Sequence, residues 1–244
     1  MKFSVIVPNW NHGAFLDECL TSIKNQDYED WEVIVYDNVS TDNSEEVVAK
    51  YLVDPRIKWI QSDIHQWTAA FSVNKAMKVV TGDAAMVLNA DDYLLDKCFS
   101  TLEPYFVDPK VGLVSTGVLI YHEDGRTEIF APQKINRGRL GDSIFNNPIY
   151  PASPFRPKLF YDVGEYDVTM TFYDWDFWVR CLIKGCGVLD WDFRLCPTPL
   201  MARRIHGSRD GAELAGDEVK LTGARRIVQK YVRAAMPVGG VKIQ

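Results

Sequence analysis

The chain has 244 residues, 47% of them hydrophobic and 25% charged, which is enough to bury one full α/β core and too apolar for a disordered segment. Its net charge of −6 argues against a nucleic-acid binder. The charge is split: from Leu200 onward nine Lys/Arg stand against four Asp/Glu, a tail of +5 on a body of −11. An acidic body suits a cation and a basic tail an anionic contact, although plain solvation of two surfaces gives the same pattern.

Phe3 to Val7 is a short β-branched apolar run stopped by Pro8, the pattern of a buried parallel strand. A loop to Gly13 leads into a helix over Ala14–Asn25, with Leu16, Cys19, Leu20 and Ile23 on one face. Trp31–Tyr36 is a second strand, followed by the polar loop DNVSTDNS. A helix over Ser44–Leu52 has Glu45 and Glu46 in its first turn, as the helix dipole favours. Ile57–Gln61, Thr68–Val80 and Ala84–Leu88 continue as strand, helix and strand, and the last ends at NADD.

This alternation predicts a parallel, doubly wound sheet over residues 1–108. Ligands of such sheets sit beyond the carboxyl ends of the strands. Three polar segments fall there: Pro8–His12, Asp37–Asn43 and Asn89–Asp92. Residues 109–216 read as an α+β extension of the same domain. In it, strands span Val111–Tyr121 and Thr127–Phe130, a loop with four prolines spans Asn146–Pro157, and a helix spans Phe172–Ile183. Gly187–Cys196 is strand-like, and His206, between arginines and a glycine, reads as lying in a loop. Acceptor contacts are expected between Asp108 and Pro157.

Residues 217–244 hold a basic amphipathic helix, Lys220–Ala235. Leu221, Ala224, Val228, Tyr231, Val232 and Ala235 share its apolar face, and Arg226, Lys230 and Arg233 the other. Packing of that apolar face on the body is the preferred reading; peripheral contact with an anionic membrane, near a lipid-linked acceptor, is the other.

The five cysteines are odd in number and form no C-x-x-C, so neither a disulfide framework nor a zinc site follows, and a reducing cytoplasm fits. The opening lacks the long apolar region of a signal peptide, and no stretch reaches the roughly 20 apolar residues of a membrane span.

Neither of the Gly-rich phosphate loops, G-x-G-x-x-G and G-x-x-x-x-G-K-[ST], occurs, so a diphosphate needs another neutralising partner. Asp91 and Asp92, directly after a strand, offer hard oxygens suited to Mg²⁺ or Mn²⁺; alternatively they begin a solvated turn. Asp37 can accept from a nucleobase N–H or a ribose hydroxyl, or it caps its own loop. Asp176 has Arg180 four residues on, an ion-pair partner on its own helix face. Asp174 has instead Phe177 and Trp178 at those positions. A carboxylate against aromatic walls is desolvated and becomes a better base; alternatively Asp174 simply answers the helix dipole. His206 has the chemistry of a metal ligand without a pattern that assigns it.

The opening SVIVPNWNHGAFLDECLTSIKNQDYEDWEVIVYDNVSTDNS resembles the N-terminus of inverting family-two glycosyltransferases. The matching fixed positions are Pro8, Asn11, Leu16, Ser22, Ile23, Gln26, Asp37, Ser40 and Asp42. NADDYL resembles that family's metal-binding D-x-D segment, FYDWDFWVRC its E-D-x-D-L-W-x-R helix, and RRIH its late Y-R-x-H segment. The resemblance implies a GT-A fold, mostly parallel and Rossmann-like, with helices on both faces. It implies a nucleotide-diphosphate sugar donor, with uridine as the base, and a glycan or lipid-linked acceptor. Pro8, Asn11 and Asp37 would hold the nucleotide, Asp91 would bind a divalent metal (Mn²⁺ or Mg²⁺), and Asp174 would be the catalytic base. His206 would touch the metal or diphosphate, and Asn74, Arg156 and Arg204 match family positions at the donor. The chain departs from the pattern at Asn89, in place of the first acid of D-x-D, at Val39, in place of a small turn-former, at Tyr173, in place of Glu, and at Arg203, in place of Tyr. Two other classes fit less well. A sugar nucleotidyltransferase would open with a Gly-rich loop where this chain has PNWNHG, and a non-catalytic nucleotide- or glycan-binding protein would tolerate Asn89 and Tyr173.

Overall fold

The computed structural model describes residues 1–134, 147, 149–206, 222–223 and 225–231. Four parallel strands, β1 (Phe3–Asn9), β2 (Trp31–Asp37), β3 (Ile57–Gln61) and β4 (Ala84–Val87), lie in the order β3-β2-β1-β4. All seven positions of β1 and of β2 are buried, which is why both strands are apolar almost throughout. Alternate residues serve opposite faces. Phe3, Val5, Val7, Val33 and Val35 pack under α1 (Gly13–Lys24) and α2 (Ser44–Ala49). Ile6, Ile34 and Tyr36 pack under α3 (Ala69–Met77). Thr68 caps α3 by accepting from the Ala70 N–H.

The second half extends this sheet. β5 (Tyr93–Leu94), β6 (Val111–His122), β7 (Thr127–Phe130) and β8 (Asp192–Ile205) form a group in the order β5-β8-β6-β7, with β6 and β8 parallel. Phe155 joins the two groups: its N–H and C=O both pair with Ala85 at 2.8 Å, while Val114 donates to the Pro154 carbonyl and Arg156 to that of Gly112. Three helices complete the body: α4 (Cys98–Leu102), α5 (Pro157–Val163) and α6 (Tyr173–Arg180), the last running on into a π-helical turn, Cys181–Cys186. The five cysteines are free and buried.

The expected strands and helices up to Leu88 are observed, with helix ends a few residues short. The region read as a proline loop is not wholly a loop, since Phe155 is a sheet bridge and Pro157 opens α5 at its first position, where a missing N–H is harmless. Arg203 to Ile205 end β8, paired with Ile120, Tyr121 and His122 of β6, and His206 follows beyond the strand, as expected. The C-terminal helix is described only at residues 222–223 and 225–231; the rest of 217–244 lies outside the described residues. Its inward side carries Ile227 and Tyr231, packed with Met170 and Val179. Lys230, expected on the solvent face, turns in toward Asp167 and Asp176 instead. Among the described residues, no helix is long and apolar enough to cross a membrane.

Candidate active site

The carboxyl ends of β1 and β2 form one rim of the crevice. Register sets Asn9 opposite Asp37. Asn9 Nδ2 donates to Asp37 Oδ1 at 2.8 Å, and the Ser40 N–H donates to Asp37 Oδ2 at 2.9 Å. Asp37 is fully buried, so its carboxylate ties β1 to the loop after β2, which is the capping alternative. Asn11 works the same joint: its Oδ1 accepts from Thr41 N at 2.7 Å and its N–H donates to Ser40 Oγ at 2.9 Å. Pro8 lies inside β1, two residues beyond Ile6, whose partner Val87 ends β4, so its missing N–H costs no ladder bond. Burial pushes the Asp42 carboxyl up, but hydrogen bonds from Ser44 and from the Gly13 N–H outweigh it and hold that carboxyl below its ordinary value.

Val39 sits in the same loop with φ +63°, a left-handed conformation disfavoured by a β-branched side chain. The turn forces the backbone and the residue does not suit it. Val39→Gly is therefore expected to raise stability by roughly 1 kcal/mol, read as a higher midpoint in urea.

Asp91 and Asp92 begin the second rim. Two matched positions on α1 hold the segment after them: Ser22 Oγ accepts the Leu94 N–H at 3.0 Å, and Gln26 bonds the Leu95 carbonyl and the Cys98 N–H. The strand β8 then delivers His206, whose Nε2 lies 3.0 Å from Asp91 Oδ2; both side chains are about nine-tenths buried. The His206 ring rests against Phe15, at 4.4 Å between centroids. Asp92 plays a different part: it accepts from the Arg204 N–H at 3.1 Å and lies 3.4 Å from Asn89 Nδ2. It joins β8 to the turn, a role the sequence expectation of a metal ligand did not include. The Arg204 guanidinium meets Glu18 at 2.6 Å and lies over the Tyr93 ring.

Asp174 stands in the first turn of α6, half-buried. Burial pushes its carboxyl above the ordinary range; the N–H groups of Trp175 and of Asp174 itself and the Arg203 charge oppose that without cancelling it. Burial also raises the neighbouring Tyr173 hydroxyl, and the charges of Asp174 and Asp91 raise it further. The two charges that act on Tyr173 come from residues 83 positions apart in the chain. Asp176, as its Arg180 partner suggested, is structural, with Arg180 Nε at 3.0 Å.

Two matched residues lie outside this crevice. Asn74 gives its whole amide to the Tyr166 backbone, at 2.8 and 2.9 Å, and so pins the chain between α5 and α6 to α3. Arg156 donates to the carbonyls of Val111 and Phe106 at 3.0 and 2.6 Å. It therefore sits at the amino end of β6, the opposite end of the sheet from His206. Their correction is that they brace the scaffold. Conversely, Asn9 is a rim group that the motifs did not single out, as are Trp10 and His65, whose rings pair at 4.7 Å beside Asn38. Only the register of β1 on β2 could have pointed to Asn9.

The fold has counterparts among solved structures. Staphylococcus aureus TarS (residues 1–349) in complex with UDP-GlcNAc superposes with TM-score 0.70 at 20% identity, over 95% of this chain and 72% of that one. The mannosyltransferase PcManGT from Pyrobaculum calidifontis, with GDP-Man and Mn²⁺, gives TM-score 0.69 at 17% identity, over 95% and 64%. The fold is that of the GT-A glycosyltransferases. The sequence model described as Glycosyl transferase family 2 matches residues 4–164, and the chain belongs to that family. A putative colanic acid biosynthesis glycosyl transferase of Escherichia coli K12 is 29% identical over 161 residues, 65% of this chain. The chain spans about half of that relative, 52%.

Proposed function

We propose that this chain moves a sugar from a uridine diphosphate sugar onto an acceptor hydroxyl, with inversion at the anomeric carbon, in polysaccharide or glycoconjugate assembly. The observation that carries this reading is the pair of Asp91 and His206, 115 residues apart in the chain yet 3.0 Å apart and about nine-tenths buried. Family membership and the nucleotide-sugar complexes of the structural neighbours support the donor class. Uridine follows the family resemblance and the UDP-GlcNAc bound by TarS.

Asp91 Oδ2 and His206 Nε2 would hold the cation. A hard oxygen with an imidazole nitrogen fits Mn²⁺ well, and one or two protein groups suffice when a diphosphate supplies further oxygens. Among the described residues no cluster of three His, Cys, Asp or Glu side chains surrounds such a site, so the donor would complete it. An ion held there would supply Lewis-acid neutralisation of the diphosphate's charge. Asp174 accepts the proton of the attacking acceptor hydroxyl. In-line attack from the face opposite the diphosphate inverts the anomeric centre and needs no covalent intermediate. Asp92 and Arg204 keep β8, and with it His206, in place. Asn9, Asn11, Asp37 and Ser40 shape the loop on which the nucleotide rests. Arg225 and Arg226 are exposed on the C-terminal helix, a cationic face available to an anionic, lipid-linked acceptor's surroundings.

A panel of nucleotide sugars, with and without Mn²⁺, scored for release of nucleoside diphosphate, tests the reading. Release from at least one donor, and only with the ion, is expected. Binding without turnover for every donor would favour a non-catalytic nucleotide-binding protein, the reading that Asn89 and Tyr173 leave open.

A further inference from the structure

We propose that Lys230, with Tyr231 beside it, is a positioning residue for the base: the helix at residues 225–231 latches onto α6 and fixes the turn that presents Asp174. The inference rests on the reading of Asp174 given above. Asp176 is fully buried and receives Lys230 Nζ at 2.7 Å and the Tyr231 hydroxyl at 2.7 Å, besides Arg180 Nε at 3.0 Å. Arg180 alone would neutralise it, being four residues along the same helix. Lys230 comes from 54 residues away, so its bond joins the C-terminal helix to α6, whereas Arg180 ties α6 to the carbonyls of Val163, Gly164 and Glu165. Its second carboxylate, Asp167 at 2.8 Å, lies in the stretch leading into α6.

The same helix grips the other flank of the base. A Cβ on Gly223 would lie 2.3 Å from Phe172 Cε2, an approach only glycine permits. Phe172 is the residue just before α6. Between the two grips Ile227 is fully buried, packed with Met170 and Val179. Asp174 therefore sits two residues from each fixed point, Phe172 on one side and Asp176 on the other. Asp174 is itself a residue of that first turn, so the turn's conformation sets its aim. The charged and titratable neighbours are Tyr173 on α6, Tyr166 from the preceding stretch and Arg203 on β8.

Lys230→Met leaves Asp176 its Arg180 and Tyr231 partners, so the fold survives while the latch loosens. Loss of aim at a reacting centre costs about 10- to 100-fold in rate. In the full-length protein, Lys230→Met is expected to lower kcat for nucleoside diphosphate release by that factor with donor KM held. It should move the acid limb of the kcat profile down, as water reaches Asp174, and speed amide hydrogen exchange at residues 173–176. Lys230→Arg should restore kcat, Tyr231→Phe should show a smaller loss of the same kind, and Gln229→Ala at an exposed position of the same helix should change nothing. Wild-type kcat and unchanged exchange in Lys230→Met overturn the latch. So does a parallel fall of kcat, donor affinity and melting temperature, which marks a plain scaffold role. If Asp174→Asn retains turnover, the reading of the site itself fails; if Asp174→Asn is inactive while Lys230→Met is wild type, only the latch fails.

Discussion

Asp174→Asn is expected to abolish sugar transfer, lowering kcat by about 10²–10⁴-fold, while the affinity for nucleoside diphosphate stays at its wild-type value. Asparagine keeps the size and the place in the first turn of α6 but cannot take a proton from an acceptor hydroxyl. The donor contacts proposed above lie on the β1–β2 rim and at Asp91, so binding is expected to hold. The pH profile carries a second signature. Asp174 works as the carboxylate, so turnover falls as pH drops through its pKa in the folded protein. Burial raises that pKa, so the acid limb of kcat should lie above the ordinary carboxylate value of about 3.9. A rate comparison of the two proteins across pH checks both statements. Equal rates in the variant would remove Asp174 from the chemistry.

Asp91→Asn is expected to produce the other large effect, a loss of about 10²–10³ in turnover that added Mn²⁺ repairs only in part, because a Lewis acid is worth several kcal/mol at a developing charge. The substitution removes a negative charge from a pair with His206 in a nearly water-free setting. Asn89 adds no charge to compensate, since the usual first acid of the segment is absent here. This site therefore depends on Asp91 more heavily than a D-x-D site would. Asp92→Asn should do less to the metal and more to stability, since its oxygen anchors the Arg204 N–H. A manganese titration of turnover in each variant separates the two roles.

The parallel half of the fold was legible because its strands are buried on both faces, which forces the continuous apolar runs of β1 and β2, and because polar loops sit at every strand end. Asp91 was legible for the same reason: two acids directly after a strand fall where a doubly wound sheet binds ligands. Asp174 was legible from spacing, since it lacks the ion-pair partner that Asp176 has. Other parts depend on partners that no local pattern encodes. Phe155 bridges two strand groups with a single residue, too short a run for any periodicity. Arg203 to Ile205 become strand only because β6 extends far enough to pair with them. Asn74 and Arg156 match donor positions as residue types, yet their polar atoms are used up on backbone groups of the scaffold. Lys230 looked like a solvated face of an amphipathic helix; a buried carboxylate on another helix turned it inward.

The central claim is that a cation held by Asp91 and His206 carries the diphosphate's negative charge. Calorimetric titration of the purified chain with uridine diphosphate, with Mn²⁺ and again with the ion chelated, tests it directly. Binding at least about 10-fold tighter with the ion is predicted, from the loss in metal sites whose support is removed. Affinity that is the same with and without Mn²⁺, or no affinity in either case, would contradict it.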